Sequence, residues 1–461
     1  MTQQLLTMSY ITNESLVVLE NELVLANRVT REYSDEFAQT GAKIGNTCNI
    51  RRPPRYIGTY GPPLNVEDTF ETYIPVVLNY QFHVDVQFTT QDLALSMDQF
   101  KKRVLRPQIA TVANRIDSDS AQYYTYNTAT SLGTVGIQPA SFKIFSDARA
   151  FLAAEACPTT GEKNCVLDPI TMSAFTDSQG GKFNPQSRIS EFNEKGLVTK
   201  NYAGLDFWED QNILSFKTGA MTGLTTTTTG LYQTATGTTA ILTSGWAQQG
   251  TIVLGGFTAS SGTAALTVGD TIQFANLFPV NPQNRLQYGR TPKQFVILPP
   301  GGFTTPPNGA ATTGIYYAPA TLTNGAFNNL TGVYSTDGSG FVQVTIGEAI
   351  ITGGQFQNCT GTMTAGTTTF SANGGTAAQV GSTVSPQGLC FHKDAYALAF
   401  ADLPLPRGVE FAARAYDDED VGMSIRLVSQ YTINNDSEPT RADVLYGPAS
   451  IYRQLGIRIN G

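Results

Sequence analysis

Between Thr89 and Tyr124 apolar residues return at helical intervals over a longer stretch than anywhere else in the chain. Leu93, Met97, Phe100 and Val104 stand four, three and four apart, and Ile109, Val112 and Ile116 continue the stripe beyond Pro107. This spacing predicts one helical face carried past a kink, or a short helix that ends before a longer one starting at the proline, whose ring clashes with the preceding turn. A continuous helix from Asp92 to Ala121 would be about 45 Å long at ~1.5 Å per residue, more than most globular helices. Thr89 or Thr90 can cap its start, and Asp92 puts a negative charge in its first turn.

Around this helix the pattern changes several times. From Asn13 to Phe37, Leu16, Leu19, Leu23 and Ala26 form an apolar stripe opposite Glu14, Glu20, Glu22, Glu32, Asp35 and Glu36. That is an acidic amphipathic helix, which either reaches a partner as an arm or packs on its own domain. From Asn46 to Phe88 the runs CNIRR, TYIPVVLNY and FHVDVQF are rich in β-branched and aromatic residues, and PPRYIGTYGPP between them is dense in Pro and Gly. These read as a long hairpin or extended loop with a stiff tip, its prolines suited to an edge that must not aggregate.

Ser141 to Phe216 mixes a short helix, DARAFLAAEA, with strands and turns, and closes on YAGLDFWEDQNILSF, a strand pattern broken at Gly204. From Thr218 to Ser385 Thr and Gly dominate, and the charged residues are Asp270, Arg285, Arg290, Lys293, Asp337 and Glu348. Short alternating strands here, GTIVLGGF, ALTVGDTIQFA, KQFVILPP, GFVQVTIGEAI and TTTFSA, predict a small barrel or sandwich with long loops over 301–340. Ordinary charge density resumes from Pro386. Ala395, Leu398 and Ala399 predict a helix stopping before Pro404, and MSIRLVSQYTI, ADVLYG and IYRQLGIRI predict strands. The likeness of the two flanks makes the middle an insertion in one discontinuous domain.

Composition sharpens this picture. A length of 461 residues suggests two or three domains. Only 14% of residues are charged, against about 25% in an ordinary domain. The surface is therefore Thr, Ser, Asn and Gln in large part, or is covered by other copies. A net charge of -8 argues against a broad nucleic-acid-binding face. Met1 to Tyr10 lacks the pattern of a signal peptide and no apolar run is long enough for a membrane span, so a soluble protein made in a cytoplasm is expected. Cys157 and Cys165 bracket a Pro-Thr-Thr-Gly turn and can meet across a hairpin, although free thiols are the plainer reading of the five cysteines.

Candidate chemistry is sparse. His83, Asp85 and His392 contain the residue types of a non-haem iron facial triad, with His83 and Asp85 on one face of a strand. The bland alternative is that they are ordinary strand and helix-start residues. Arg51, Arg52 and Arg55 suit ion pairs with an acidic neighbour better than phosphate contacts. Asp417 and Asp418 open an acidic run that lacks the glycine and spacing of a calcium loop, so a solvated turn or a contact with a basic neighbour is expected. No nucleophile elbow, phosphate loop or zinc-protease motif occurs. A chain of this size with two histidines and no nucleophile motif reads as structural, not enzymatic.

Several stretches taken in order, DLALSMDQFKKRVLRPQIATVANRID, YAGLDFWEDQNILSF, VGDTIQFANLFPVNP, LCFHKDAYALAFADLPLPRG, SIRLVSQYTI and ADVLYG, resemble the major capsid proteins of tailed double-stranded-DNA phages, in the podoviral P22-type coat branch. The resemblance runs from Val17 to Ile459 and weakens over 301–340. It implies an α+β, HK97-like fold with an N-terminal arm (1–44), an E-loop (45–88), a P domain with a long spine helix (89–140), a first part of the A domain (141–217), an inserted β-barrel domain (218–385) and completion of the A and P domains (386–461). It also implies a coat protein without cofactors that self-assembles through hexamers and pentamers into an icosahedral shell. Implied partners are a scaffolding protein, a portal protein and a possible decoration protein, with packaged DNA held only by proximity and no membrane. The site would be the virion capsid, assembled in the host bacterial cytoplasm. Glu14, Glu20, Arg51, Arg52, Arg55, Tyr60, Asp417 and Asp418 are then the candidate assembly contacts. The alternatives are a β-rich tail or receptor-binding protein, and the iron oxygenase built on His83, Asp85 and His392.

Overall fold

A computed structural model describes residue 19 and residues 23–31, 47–89, 106–159, 161–179, 202–220, 230–234, 241–257, 266–289, 291–299, 315–317, 332–336, 340–364, 368–372, 383–409, 411–416, 423–434 and 437–461. It is an α+β structure in which two sheets pack around a long helix and a closed barrel stands beside them. Leu93, Met97, Phe100, Val104, Glu14, Glu20, Asp417, Asp418 and the 301–314 loop lie outside the described residues.

Helix α1 spans Arg106–Asn127, with Pro107 in its first turn, where a missing amide proton costs no intrahelical bond. Ile109, Val112 and Ile116 are fully buried in the main core. Each such side chain contributes about 1.5–3 kcal/mol relative to exposure. The helix also buries polar groups, several of which are paired across the core. The Tyr446 phenol donates to Asp119 at 2.7 Å and Tyr124 donates to the Ala397 carbonyl at 3.1 Å. Helix α2, Phe142–Ala154, starts at Ser141, whose hydroxyl accepts from the Lys143 amide at 3.3 Å. Ser141→Ala is expected to cost about 1 kcal/mol, read as a lower midpoint in urea unfolding. Helix α3 spans Pro169–Gln179, an element the pattern of apolar residues did not separate from its surroundings.

One sheet orders Thr130–Leu132, Gly456–Asn460, Val384–His392, Lys163–Leu167 and Asp206–Glu209. Strands from before and after residues 218–383 thus lie side by side. The other sheet is organised on Ser437–Ser450, which pairs with Tyr396–Ala401, with Ser424–Ser429 and, over ten positions, with β3 (Tyr80–Thr89). Strands β1 (Thr47–Arg52) and β2 (Thr72–Val77) form an antiparallel ladder from Thr47 opposite Val77 to Arg52 opposite Thr72. The barrel closes in the order Gly250–Leu254, Val342–Ile346, Gln294–Leu298, Thr271–Phe274, Thr369–Ala372, Gly230–Thr234. Ile252, Leu254, Ile272, Phe274, Phe295, Ile297 and Phe370 fill it.

Three expectations are corrected. The apolar positions expected to form a helix do not: Ala395 ends a short 3-10 turn, and Leu398 and Ala399 belong to a strand, Tyr396–Ala401. Tyr396, Leu398 and Phe400 enter the main core while Ala397 and Ala399 enter a second cluster with Val76 and Ile50. Burial on both faces erases the alternation that marks a half-exposed strand. Second, the amino-terminal pattern is not one helix: Ala26–Arg28 is a 3-10 turn, Val29 is extended and Thr30 bridges Ala397 in parallel. Its Leu23, Leu25, Ala26 and Val29 are buried in the protein's own core. Third, the cysteines are not all free thiols as the plainer reading expected, and the alternative pairing of Cys157 with Cys165 does not form either. Cys165 stands opposite Cys390 on the neighbouring antiparallel strand and is disulfide-bonded to it, and Cys157 is a buried free thiol.

Candidate assembly surface

The β1–β2 ladder carries a loop, residues 53–71, whose apolar side chains face outward. Tyr60 is fully exposed, Leu64 is 90% and Val66 77% exposed, and Tyr56, Ile57 and Phe70 are about half exposed. Isolated exposed apolar residues are ordinary, but a contiguous run on one protrusion marks an interaction surface.

The loop is folded on itself. The Glu67 carboxylate accepts from the Ile57 and Gly58 amides, both at 2.6 Å, Asn65 donates to the Thr59 hydroxyl at 2.9 Å, and the Tyr56 and Thr69 hydroxyls are 3.1 Å apart. Gly58 and Gly61 take positive φ, 71° and 105°, which side chains with a Cβ rarely adopt. Three contacts then brace the loop on the barrel stretch. Arg285 donates to the Tyr56 carbonyl at 2.9 Å, Gln355 donates to the Asp68 carbonyl at 2.8 Å, and Phe70 meets Phe356 edge to face at 5.8 Å. Glu67→Ala removes two charge-assisted bonds, so protease cleavage between Tyr56 and Tyr60 is expected to accelerate about tenfold with the melting temperature nearly unchanged.

At the root of the ladder the three arginines diverge. Arg51 is exposed and lies 3.8 Å from the exposed Glu71, a pair worth little in water. Arg52 turns inward over the Tyr452 ring at 4.8 Å, and burial lowers its pKa against the pull of Glu348. Arg55 lies 6.0 Å from the Phe356 ring. Behind Arg52, Lys293 bridges Glu348 at 3.3 Å and donates to the Asn358 carbonyl at 3.1 Å. Burial opposes the Lys293 charge, but Glu348 and Glu155 outweigh it and raise its pKa; Lys293 and Arg52 in turn hold Glu348 below the usual carboxylate range despite burial. Tyr288 donates to Glu155, whose pKa burial raises. Arg453 ties the seam together by donating to the Gln248 carbonyl at 3.2 Å and to Asn127 at 3.1 Å.

The charges of the charge-poor stretch that lie among the described residues, Asp270, Arg285, Lys293 and Glu348, therefore sit at its borders. Asp270 accepts from the Thr267 amide at 2.7 Å and from the Gly219 amide, at the root of the stretch, at 3.2 Å. Arg285 braces the loop, and Lys293 with Glu348 forms the seam. The sequence singled out these residues as rare charges but not their roles. The exposed Ile57, Leu64 and Val66 lie in the same Pro/Gly-rich turn region, where apolar residues are the sequence signal of a contact surface.

The iron-triad alternative is overturned by placement. His83 lies 3.1 Å from Asp85 on the outer face of β3, beside Arg441, whereas His392 is buried at the end of the Val384–His392 strand and its Nδ1 accepts from the Asp394 amide at 3.3 Å. Among the described residues, no three His, Cys, Asp or Glu side chains converge as metal ligands, and no helix is long and apolar enough to cross a membrane.

Residues 2–298 match the protein family described as "P22 coat protein - gene protein 5". No curated protein matches the sequence. Among solved structures, one from Mycobacterium phage Che8 is 11% identical, with 95% of this chain and 90% of that one covered and a TM-score of 0.41. The capsid structure of the cyanophage P-SCSP1u is 10% identical, with 95% and 88% covered and a TM-score of 0.40. The mature capsid of bacteriophage PhiM1 is 10% identical, with 91% and 82% covered and a TM-score of 0.39.

Proposed function

The chain belongs to the P22 coat protein family, and from that premise we propose that the braced β1–β2 loop is the element by which one subunit of the phage capsid shell grips the next. As a coat protein of the HK97-like fold family it is a structural, non-enzymatic component of the virion that assembles with copies of itself. The tail-protein alternative falls with that assignment.

The observation that carries the finer reading is the outward-facing Tyr60, Leu64 and Val66 on a loop held rigid by Glu67, Arg285 and Gln355. A shell is closed by many weak repeated contacts, so a preorganised apolar protrusion lowers the ordering cost of each. In this reading residues 45–88 are the E-loop, 1–44 the arm, 89–140 the P domain with its spine helix, 141–217 and 386–461 the A domain and its completion with the P domain, and 218–385 the inserted barrel. Hexamers and pentamers form in the host cytoplasm around a scaffolding protein, whose basic helix would meet Glu14 and Glu20, and a portal replaces one pentamer. Arg51, Arg55 and Tyr60 contact neighbouring subunits, Asp417 and Asp418 meet a basic neighbour or solvent, and a decoration protein can bind outside. The net charge of -8 leaves packaged DNA held by proximity alone.

Electron microscopy of the protein co-expressed with its scaffolding protein tests the assembly. Closed shells of uniform size are expected; monomers or small rings at every salt concentration would refute it.

A further inference from the structure

The segment of residues 23–31 buries Leu23, Leu25, Ala26 and Val29 in the main core, and a side chain of α1 hydrogen-bonds its backbone. The Asp117 carboxylate, 1% exposed, accepts from the Val24 amide through Oδ2 at 2.7 Å and from the Ala26 amide through Oδ1 at 2.9 Å. These amides enter the 3-10 turn Ala26–Arg28, whose first N–H groups have no partner within the turn. Thr30 completes the attachment, donating its amide to the Tyr396 carbonyl at 3.1 Å and accepting from the Leu398 amide at 3.0 Å.

We propose that Asp117 is a latch for the root of the amino-terminal segment, and that its protonation sets how firmly that root stays docked. The groups around it support this. Asp210 faces Asp117 from the turn after Asp206–Glu209; its Oδ1 accepts from the Asn212 amide at 2.8 Å, and its Oδ2 is buried without a hydrogen bond. Tyr124 lies farther along α1 and donates to Ala397. The cations nearby are engaged elsewhere: Arg28 lies 3.5 Å over the Trp208 ring, and Arg115 bonds Asp119 at 3.0 Å. Two buried carboxyls facing each other resist double ionisation.

Burial, reinforced by Asp210, pushes Asp117 up from 3.8 to about 7, although the Val24, Ala26 and Leu25 amides pull it down. Undocking the root exposes the carboxylate to water and returns it toward its ordinary value. The docked state therefore binds the proton more tightly, so docking is strongest below 3.8 and weakens as pH rises to about 7. For one proton the docking equilibrium changes by up to about tenfold per pH unit within that window.

The test is hydrogen exchange with mass spectrometry on the full chain from about pH 5 to pH 9, dividing each rate by that of the unfolded chain. Protection of a peptide covering residues 23–31 is expected to fall at least tenfold as pH rises to about 7 and then level off, while the Gly250–Leu254 strand shows no such step. Asp117→Asn should abolish the step, and Asp210→Asn should move it to lower pH. A flat wild-type profile overturns the proposal even if D117N fails to fold, and so does a step that survives D117N. Shell formation does not enter the readout, so the latch and the coat assembly contact fail separately.

Discussion

Replacing Leu64 and Val66 together by aspartate is expected to eliminate closed shells while leaving the isolated subunit folded. Both side chains are almost wholly in solvent, 90% and 77% exposed, so the monomer loses few contacts, and the change in its stability should stay within about 0.5 kcal/mol. In a subunit interface the same two positions would bury unpaired carboxylates, each costing several kcal/mol, or at least a hundredfold in the contact's equilibrium constant. The penalty recurs at every equivalent contact of a symmetric shell, so the loss is cooperative. Sedimentation of co-expressed protein should show no shell fraction, and circular dichroism should show an unchanged melt. Shells in normal yield from the double variant would sink the proposed role of the loop. Tyr60→Ala, which removes apolar area without adding charge, should give an intermediate yield.

The second large effect is at the seam. Lys293→Met leaves Glu348 and Glu155 without their buried cation and should cost about 3 kcal/mol, toward the low end of the usual 3–5 for breaking a buried pair, because Glu348 keeps about a quarter of its side chain exposed. Urea unfolding reads this directly. Replacing both partners, Lys293→Met with Glu348→Leu, should recover most of the loss, since the penalty lies in the orphaned charge. The pH dependence has a definite sign. Glu348 sits below its ordinary value, so its contribution is present above 4.5 and is lost as pH falls through its folded value. Lys293 sits above its ordinary value, so its contribution is complete below 10.5 and disappears as pH rises through its folded value. Wild type should therefore exceed the Met variant most between those limits and converge with it in acid and in strong alkali. A constant difference across pH would assign the cost to lost packing.

Much of the architecture could be read without coordinates because it is local. The stripe Ile109, Val112 and Ile116 marks a face of α1, and the short β-branched and aromatic runs VQVTI and QFVIL mark barrel strands, since local composition and spacing carry these signals. The abrupt loss of charge at Thr218 and its return after Ser385 marked a stretch set apart, and the first strand after it, Val384–His392, lies beside Lys163–Leu167 from before it. The candidate site was legible only in part. Tyr60 and Arg55 stand in the Pro/Gly-rich tip, Arg51 and Arg52 in the CNIRR strand. Alternation puts Arg52 on the face of Cys48 and Ile50, but the ring and carboxylate it meets there, Tyr452 and Glu348, come from far along the chain.

What the sequence by itself determined is the kind of those elements whose burial follows their own period, such as the Ile109, Val112 and Ile116 face of α1, and the family. What only the tertiary structure decided is which elements meet. Tyr396–Ala401 is a strand because two cores cover its two faces, so its partners override a helical spacing. Cys165 faces Cys390, and not Cys157, because the register of two strands separated by 225 residues brings them together. Asp117 holds the Val24 and Ala26 amides because α1 passes beneath them. In each case the deciding energy is a contact between segments far apart in sequence, and local period carries no information about such contacts.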